Sequence, residues 1–341
     1  MRKALTITLI ILTISLSLSS QRVLAQNLTL YLFTDKGSYF MGDYVTIYGN
    51  LTKDDQPVLS NLVAIEVKNE SKILVLRTLQ TEPNSTIYCP VYIWRVIPCD
   101  EYGHPQNSFP RPSPGGGSSS ANFKVELANF SNETQTPLVT VNLFDSTGIS
   151  LGYSSAHGLS LPPDQVVYWA ILPIPIPYDA GLGNATVYAS AFAEWPEYNG
   201  TAYCPEKNAT LEITGSGGLL SNNDLTTPQS RSFSIETTGE NGTYNMTFRL
   251  NPFSSTGTYT IYAASQYENQ PATASTAFVV GVKGDLNEDG AVDSTDLGIL
   301  GLAWGSLIGD PSFNPKADLN DDGAIDSTDL GIMGIYWGYI A

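Results

Sequence analysis

The sequence predicts a mostly β chain, two β-sandwiches with one inserted in the other, followed by a small helical module. Two observations predict it. Between residues 27 and 280, short runs alternate apolar and polar with period two (44–48, 63–67, 123–127, 139–143, 244–250 and 259–263), and Gly, Pro, Asn and Asp break them. Such runs read as half-buried strands joined by turns, and no useful length of this region has helical period. At the C-terminal end the pattern changes, and one motif is written twice: DLNEDGAVDSTDLGILGLAWG from Asp285 and DLNDDGAIDSTDLGIMGIYWG from Asp318.

Taken in order, residues 1–25 have a basic start (Arg2, Lys3), an apolar run and Val23-Leu24-Ala25 at the end. This is the pattern of a cleaved secretory signal, with a retained membrane anchor as the alternative. No other segment reaches the roughly 18 apolar residues that a membrane-spanning helix needs, so none is expected after cleavage.

Residues 27–80 supply about four strands, too few for a sandwich that needs about seven. The missing strands stand far downstream, so 27–80 and 228–281 are expected to form one discontinuous domain. The alternative is two small separate sheets, each marginal alone. Residues 82–215 then form an inserted sandwich. Pro110–Ser120 reads as a flexible loop in it, and GSGGLLSNND (215–224) as the hinge back to the outer domain.

The duplicated motif opens with D-x-N-x-D-G, the front half of an EF-hand calcium loop. A twelve-residue loop offers hard oxygens from positions 1, 3, 5, 7, 9 and 12, with Gly at 6 for the sharp turn. The first set is Asp285, Asn287, Asp289, the Ala291 carbonyl, Asp293 by way of a water, and Asp296. The second is Asp318, Asn320, Asp322, the Ala324 carbonyl, Asp326 and Asp329. Two Ca²⁺ ions are therefore expected. Each loop runs into a short helix whose glycines (Gly298, Gly301, Gly305; Gly331, Gly334, Gly338) recur in steps of three and four. That spacing puts them on one helix face and predicts close packing of the two helices, or merely weak, short helices.

The duplicated loop-helix, with Asp at position 12 and Ser-Thr just before it, resembles the dockerin module over residues 284–341. The resemblance implies a compact two-helix domain that folds on calcium and docks a β-sandwich partner, cohesin. It also implies partner contact through Ser294-Thr295 and Ser327-Thr328. The family's basic pair further along the helix is replaced by Gly301-Leu302 and Gly334-Ile335. TDKGSYFMGDYVTIYGNLT (34–52) and GTYNMTFRLNPFSSTGTYTIYA (242–263) resemble the opening and closing segments of macroglobulin-type immunoglobulin-like domains. ANFKVELANF (121–130), VTVNLFDSTGISLG (139–152) and GNATVYASAF (183–192) resemble CARDB-like adhesion modules of prokaryotic surface proteins. Both resemblances imply immunoglobulin-like sandwiches.

Composition narrows the function classes. The formal net charge is −17, and residues 284–341 hold eleven acids against Lys316. Phosphate binding wants the opposite sign, so a nucleic-acid partner is not expected. Eleven Asn residues stand in N-x-Ser/Thr sequons (27, 50, 69, 84, 129, 132, 184, 199, 208, 241 and 245), none in the calcium module, which favours a glycosylated surface on the β-rich part.

The three cysteines are Cys89, Cys99 and Cys204, an odd count that predicts one bridge and one leftover thiol. Cys89 and Cys99 flank a strand-like run, and ten extended steps span about 33 Å against the ~5.5–6 Å of a bridged pair. A Cys99–Cys204 disulfide is expected instead. It would pin both ends of the insertion and contribute on the order of 4–5 kcal/mol. The alternative is three free thiols.

No catalytic constellation stands out. His104 and His157 lie in loop sequence, and GYSSAHG (152–158) brings Ser and His together without being a nucleophile elbow. Trp195, Tyr198 and Tyr203 make either a sugar-stacking platform or the packing of a hairpin beside Cys204. The expectation is a non-enzymatic secreted or cell-surface protein, a β-sandwich spacer or adhesion body with a calcium-dependent protein-docking module. The alternative is a carbohydrate-binding accessory of an extracellular polysaccharide-degrading complex, docked through cohesin.

Overall fold

The computed structural model describes residues 27–70, 72–82, 87–164, 168–215, 241–252, 254–320 and 322–340. The expected signal segment 1–25, the sequon Asn84, the hinge from 216 onward and the stretch 228–240 lie outside the described residues.

The outer sandwich begins with β1 (Leu28–Thr34), β2 (Ser38–Phe40), β3 (Tyr44–Lys53), β4 (Gln56–Pro57), β5 (Leu62–Lys68) and β6 (Ile73–Gln80). The insertion contributes β7 (Val91–Cys99), β8 (Ser108–Pro110), β9 (Ser119–Asn129), β10 (Leu138–Phe144), β11 (Ser150–Ala156), β12 (Tyr168–Ile176), β13 (Gly183–Phe192) and β14 (Lys207–Thr214). The chain then returns as β15 (Thr243–Arg249), β16 (Gly257–Tyr267) and β17 (Gln270–Gly281). Strands far apart in sequence pair directly: β15 lies antiparallel to β3, with Met246 opposite Ile47, and β16 antiparallel to β5, with Ala263 opposite Ile65. The two outer sheets run β1-β3-β15, with β4 beside β3, and β2-β17-β16-β5-β6. Between them Ile47, Leu51, Ile65, Phe248 and Phe278 are fully buried, each stabilising the fold by about 1.5–3 kcal/mol.

Strands β7 to β14 make a second pair of sheets, β12-β9-β7 against β11-β10-β13-β14-β8. Their core gathers Ile93, Phe123, Val125, Leu127, Val141, Leu143, Val187 and Ile213. Single-sided strands alternate, as in β3, where Val45, Ile47, Gly49 and Leu51 point inward. Strands β5 and β6 do not alternate, because both of their faces are covered. Ala64 and Leu76 turn outward onto Leu138 and Phe192 of the insertion. Strand β6 ends its sheet, and the insertion bonds its open edge: Asn142 Oδ1 accepts from the Leu76 N–H (3.2 Å) and Ser150 Oγ donates to the Leu74 carbonyl (2.6 Å). An edge that would otherwise template aggregation is thereby closed.

The contact also buries charge. Glu66 is fully buried; its Oε2 accepts from the Glu197 N–H at 3.1 Å, while Oε1 has no partner among the described residues. Desolvation pushes its carboxyl up to about 7, against 4.5 ordinarily. Stability held by neutral Glu66 is fully present below pH 4.5 and is lost as pH rises through about 7. Glu66→Gln is expected to stabilise the protein at pH 8 by on the order of 3 kcal/mol, with little effect at pH 5. Urea titrations at both pH values check this, and an equal effect at both would count against it.

Two sequence expectations are corrected. All three thiols are free and buried, so the Cys99–Cys204 bridge does not form. Cys99 ends β7 opposite Asn122, whereas the Cys204 sulfur takes the Ile93 N–H near the start of that strand. Six strand steps, about 20 Å, separate Ile93 from Cys99. Cys204 shares the insertion's core with Cys89, and burial pushes their thiols up to about 12 and about 11, so both stay neutral. The sequon at Asn129 is closed to a glycan: the side chain is fully buried, and its Nδ2 donates to the carbonyls of Glu133, Leu161 and Pro162.

Candidate metal centre and docking face

After β17 only a short turn precedes the first loop. Helices α1 (Ser294–Ala303) and α2 (Ser327–Tyr336) follow the two loops at equivalent positions. Each begins with a reciprocal cap. Asp293 accepts from the Thr295 N–H at 2.7 Å, and Asp296 Oδ2 accepts from the Asp293 N–H at 2.9 Å. In the second copy the distances are 2.6 Å (Thr328 to Asp326) and 2.8 Å (Asp326 to Asp329). Two otherwise orphaned N–H groups are satisfied at each helix start. The other oxygen of the position-12 Asp reaches back across the loop: Asp296 Oδ1 accepts from Leu286 N–H and Asp329 Oδ1 from Leu319 N–H, both at 2.7 Å. Position 1 closes the turn. Asp285 accepts from Asp289 and Gly290 N–H, and Asp318 from Asp322 and Gly323 N–H, at 2.9–3.1 Å. Gly290 (φ 89°) and Gly323 (φ 85°) sit in the left-handed region that position 6 requires.

The structure thus ties positions 1, 3, 5, 9 and 12 of each loop together through backbone N–H bonds. Among the described residues, no three Asp, Glu, His or Cys side chains converge as a ready cage. The donor set still fits a hard cation. Every donor is oxygen, and a carboxylate oxygen holding one N–H keeps a second lone pair for a metal. Asp285, Asn287, Asp289, Asp293 and Asp296, with the Ala291 carbonyl, would hold one ion. Asp318, Asn320, Asp322, Asp326 and Asp329, with the Ala324 carbonyl, would hold the other.

The loops are clamped crosswise. Ala291 bridges to Ile340 beyond α2, and Ala324 bridges to Leu307 beyond α1. Bonds from Val292 N–H to the Tyr339 carbonyl (3.0 Å) and from Ile325 N–H to the Ser306 carbonyl (3.0 Å) fasten each loop to the other helix's tail. Leu286, Val292, Leu300, Ala303, Leu319, Ile325 and Met333 make the module's core, which is continuous with that of the outer sandwich. Lys283 donates to the Leu319 carbonyl (3.0 Å) and pairs with Asp43 (3.5 Å), anchoring the join.

The glycine expectation is corrected here. Among the described residues, a Cβ built at Gly298, Gly301, Gly331 or Gly334 would meet nothing within 4 Å, so these glycines do not pack the two helices together. Leu300, Ala303 and Met333 face the core instead. The glycine face is open and bordered by exposed Leu297 and Leu302 in α1 and by Leu330 and Ile335 in α2. Ser294, Thr295, Ser327 and Thr328 are exposed at the head of the same helices. Sequence reasoning missed the apolar rim, although its duplication in both motif copies was visible. Since nothing crowds Gly301, Gly301→Ala is expected to raise the module's stability by about 1 kcal/mol, read from its thermal midpoint in calcium. Destabilisation would mean that close packing exists after all.

Paired loops, each opening a capped helix and each strapped to the other's tail, define a calcium-loop module that presents two equivalent faces. Residues 283–336 match the family model for the Dockerin type I domain, so the chain carries a dockerin module behind its β-sandwiches. Dockerin type I domains bind calcium and typically dock cohesin partners. No curated protein matches the chain. Among solved structures it is similar to the C-terminal domain of wzt, at 12% identity and TM-score 0.31, covering 43% of this chain and 90% of that one. It is also similar to the Bacteroides uniformis beta-glucuronidase (8% identity, TM-score 0.28, 52% of this chain and 27% of that one). A third likeness is to the E. coli alpha-2-macroglobulin (11% identity, TM-score 0.19, 76% of this chain and 23% of that one). The chain thus spans about a quarter of the latter two. Strand pairing, not these likenesses, defines the fold. Among the described residues no helix is long and apolar enough to cross a membrane.

Proposed function

We propose that this is a non-enzymatic extracellular or cell-surface protein, in which two nested immunoglobulin-like sandwiches act as a spacer or adhesion body. The C-terminal module, loaded with two calcium ions, docks it to a cohesin-like protein. One observation carries this reading: two equivalent, uncrowded faces, each with exposed Ser-Thr, open glycines and a Leu/Ile rim, stand on helices opened by calcium-type loops. Open glycines let a partner backbone approach closely, and the apolar rim supplies the burial that the absent basic pair would not. The non-enzymatic part is supported by the histidines. His104 is tied to Asp100 in an exposed turn, and the His157 ring sits tilted against Trp195 with Ser155 only at 3.4 Å.

Capture of purified cohesin domains on the immobilised full chain tests the proposal. Retention is expected in calcium and not in chelator, and the double variant Gly301→Glu, Gly334→Glu should lose at least tenfold in affinity while keeping its helices. Retention indifferent to both calcium and these substitutions would remove the docking face. The alternative, a carbohydrate-binding accessory, is favoured by a row of exposed indoles on the inserted sandwich.

A further inference from the structure

The outer face of sheet β12-β9-β7 carries a constellation that neither the calcium module nor the core explains. In β7 the register shifts between Ile93 and Arg95, so consecutive Trp94 and Arg95 are both exposed. Bulges of this kind re-aim side chains and recur beside binding sites. Arg95 pairs across the sheet with Glu126 of β9, and Glu126 pairs with Trp169 of β12. One row therefore reads Trp94/Arg95, Glu126, Trp169. Its two indoles are 59% and 53% exposed, a costly display of apolar surface for side chains that no core needs. Two strand spacings separate the ends of the row, about 10 Å, the scale of a disaccharide.

Cations flank the row. Lys124 Nζ lies 5.3 Å from the Trp169 ring and 3.2 Å from Glu126 Oε1. Arg95 Nη2 donates to Glu126 Oε1 at 3.3 Å, and Lys207 Nζ lies 5.1 Å from the ring of Tyr92, which stands edge-on to Trp94 at 6.4 Å. Glu126 itself is buried beneath the row, and its carboxyl is held below the usual range, first by the Arg95 hydrogen bond. Three cations against one carboxylate leave a local positive surplus on a chain whose net charge is −17.

We propose that this row is a binding site for an acidic polysaccharide, whose sugar rings stack on Trp94 and Trp169 while its carboxylates meet Arg95, Lys124 and Lys207. The proposal deepens the carbohydrate-accessory reading and requires nothing of the calcium module. Indole faces take the C–H face of a pyranose ring, and cation N–H groups left over from Glu126 suit a uronate carboxylate. A single-stranded nucleic acid also combines stacking with cations, but the chain's overall charge opposes an extended polyphosphate.

Affinity electrophoresis of the full chain tests it, with polygalacturonate, a neutral dextran or single-stranded oligothymidylate in the gel. Each gel is run in calcium and in chelator, because uronates bind calcium themselves. Polygalacturonate is expected to retard the chain in both conditions, and dextran is not. Trp94→Ala and Trp169→Ala should each weaken retardation about tenfold, in line with a lost stacking contact, while Tyr102→Ala, an exposed ring off the row, should not. Tryptophan emission of the full chain should quench on addition of polygalacturonate. No retardation by polygalacturonate, retardation indifferent to both indoles, or stronger retardation by oligothymidylate would each overturn the proposal. Cohesin capture is measured separately, so failure here leaves the docking reading standing, and failure there leaves this one.

Discussion

Replacing Arg77 with alanine is expected to lower the stability of the fused sandwiches by roughly 3–5 kcal/mol, the usual loss when one partner leaves a buried ion pair. Arg77 projects from β6 of the outer sandwich into the insertion and is completely buried. Its Nε donates to Glu206 Oε2 at 2.7 Å and its Nη2 to Glu206 Oε1 at 2.5 Å, a two-pronged pairing. The guanidinium lies 3.3 Å from the Tyr188 ring centroid and 5.7 Å from that of Phe144. Glu206 Oε2 also accepts from the Thr78 N–H at 3.1 Å, so the same carboxylate fastens β6 backbone to the insertion. Without Arg77 that carboxylate stays largely buried with one backbone donor. Lysine cannot supply the planar fork or stack on tyrosine, so Arg77→Lys is expected to recover only part of the loss. Arg77→Met with Glu206→Gln removes both charges and should come closer to the parent than Arg77→Ala does. Urea denaturation of the four proteins measures these differences. A cost below about 1 kcal/mol for Arg77→Ala would mean that the pair behaves as a surface contact and that the two sandwiches do not depend on it.

How much of this was legible beforehand depends on how local the cause is. The module and the turns of its two loops were legible, because the motif spacing is set within twelve residues and the turn itself needs Gly290 and Gly323 in the left-handed region. Strands such as β3 were legible because one face is wet and the alternation survives. The contact between the sandwiches was not legible. Ala64, Glu66 and Leu76 face outward from β5 and β6, Arg77 stands on the opposite face of the edge strand β6, and only the arrival of Leu138, Phe192 and Glu206 from the insertion buries those positions. The cysteine pairing failed for a related reason: the direction in which β7 runs carries Cys99 away from Cys204, and one sequence does not specify that direction. On α1 and α2, the spacing put Gly298 with Gly301 and Gly331 with Gly334 on one face but did not say which face was inward, and Gly305 and Gly338 fall past the helix ends in the left-handed region. The indole row was hidden because a bulge, which has no reliable single-sequence signature, turns Trp94 and Arg95 the same way.

Removing calcium is expected to melt both C-terminal helices while the β-sandwiches stay folded. The eight loop carboxylates (Asp285, Asp289, Asp293, Asp296, Asp318, Asp322, Asp326 and Asp329) repel one another in a small volume, and the module's core is too modest to hold them alone. Backbone N–H bonds position the ligands but do not cancel their charge, so most of the module's folding free energy should come from the ion. Each tenfold rise in free calcium above the dissociation constant then adds about 1.4 kcal/mol per site. The crosswise bridges make the coupling specific. Ala291 of the first loop is strapped to Ile340 behind the second helix, so Asp285→Ala should expose the amide of Gly338, which donates to the Val292 carbonyl, as well as those of its own loop. Asp318→Ala should likewise expose Gly305 and Ile308, which donate to Ile325 and Gly323. Magnesium at equal concentration should not restore the helices, since it demands a tighter octahedral shell and keeps its waters. Amide exchange of the full chain, with and without chelator, reads all of these effects. If α1 and α2 keep their protection in chelator, calcium is not what folds the module; if Asp285→Ala loosens only its own loop, the bridges do not couple the two halves.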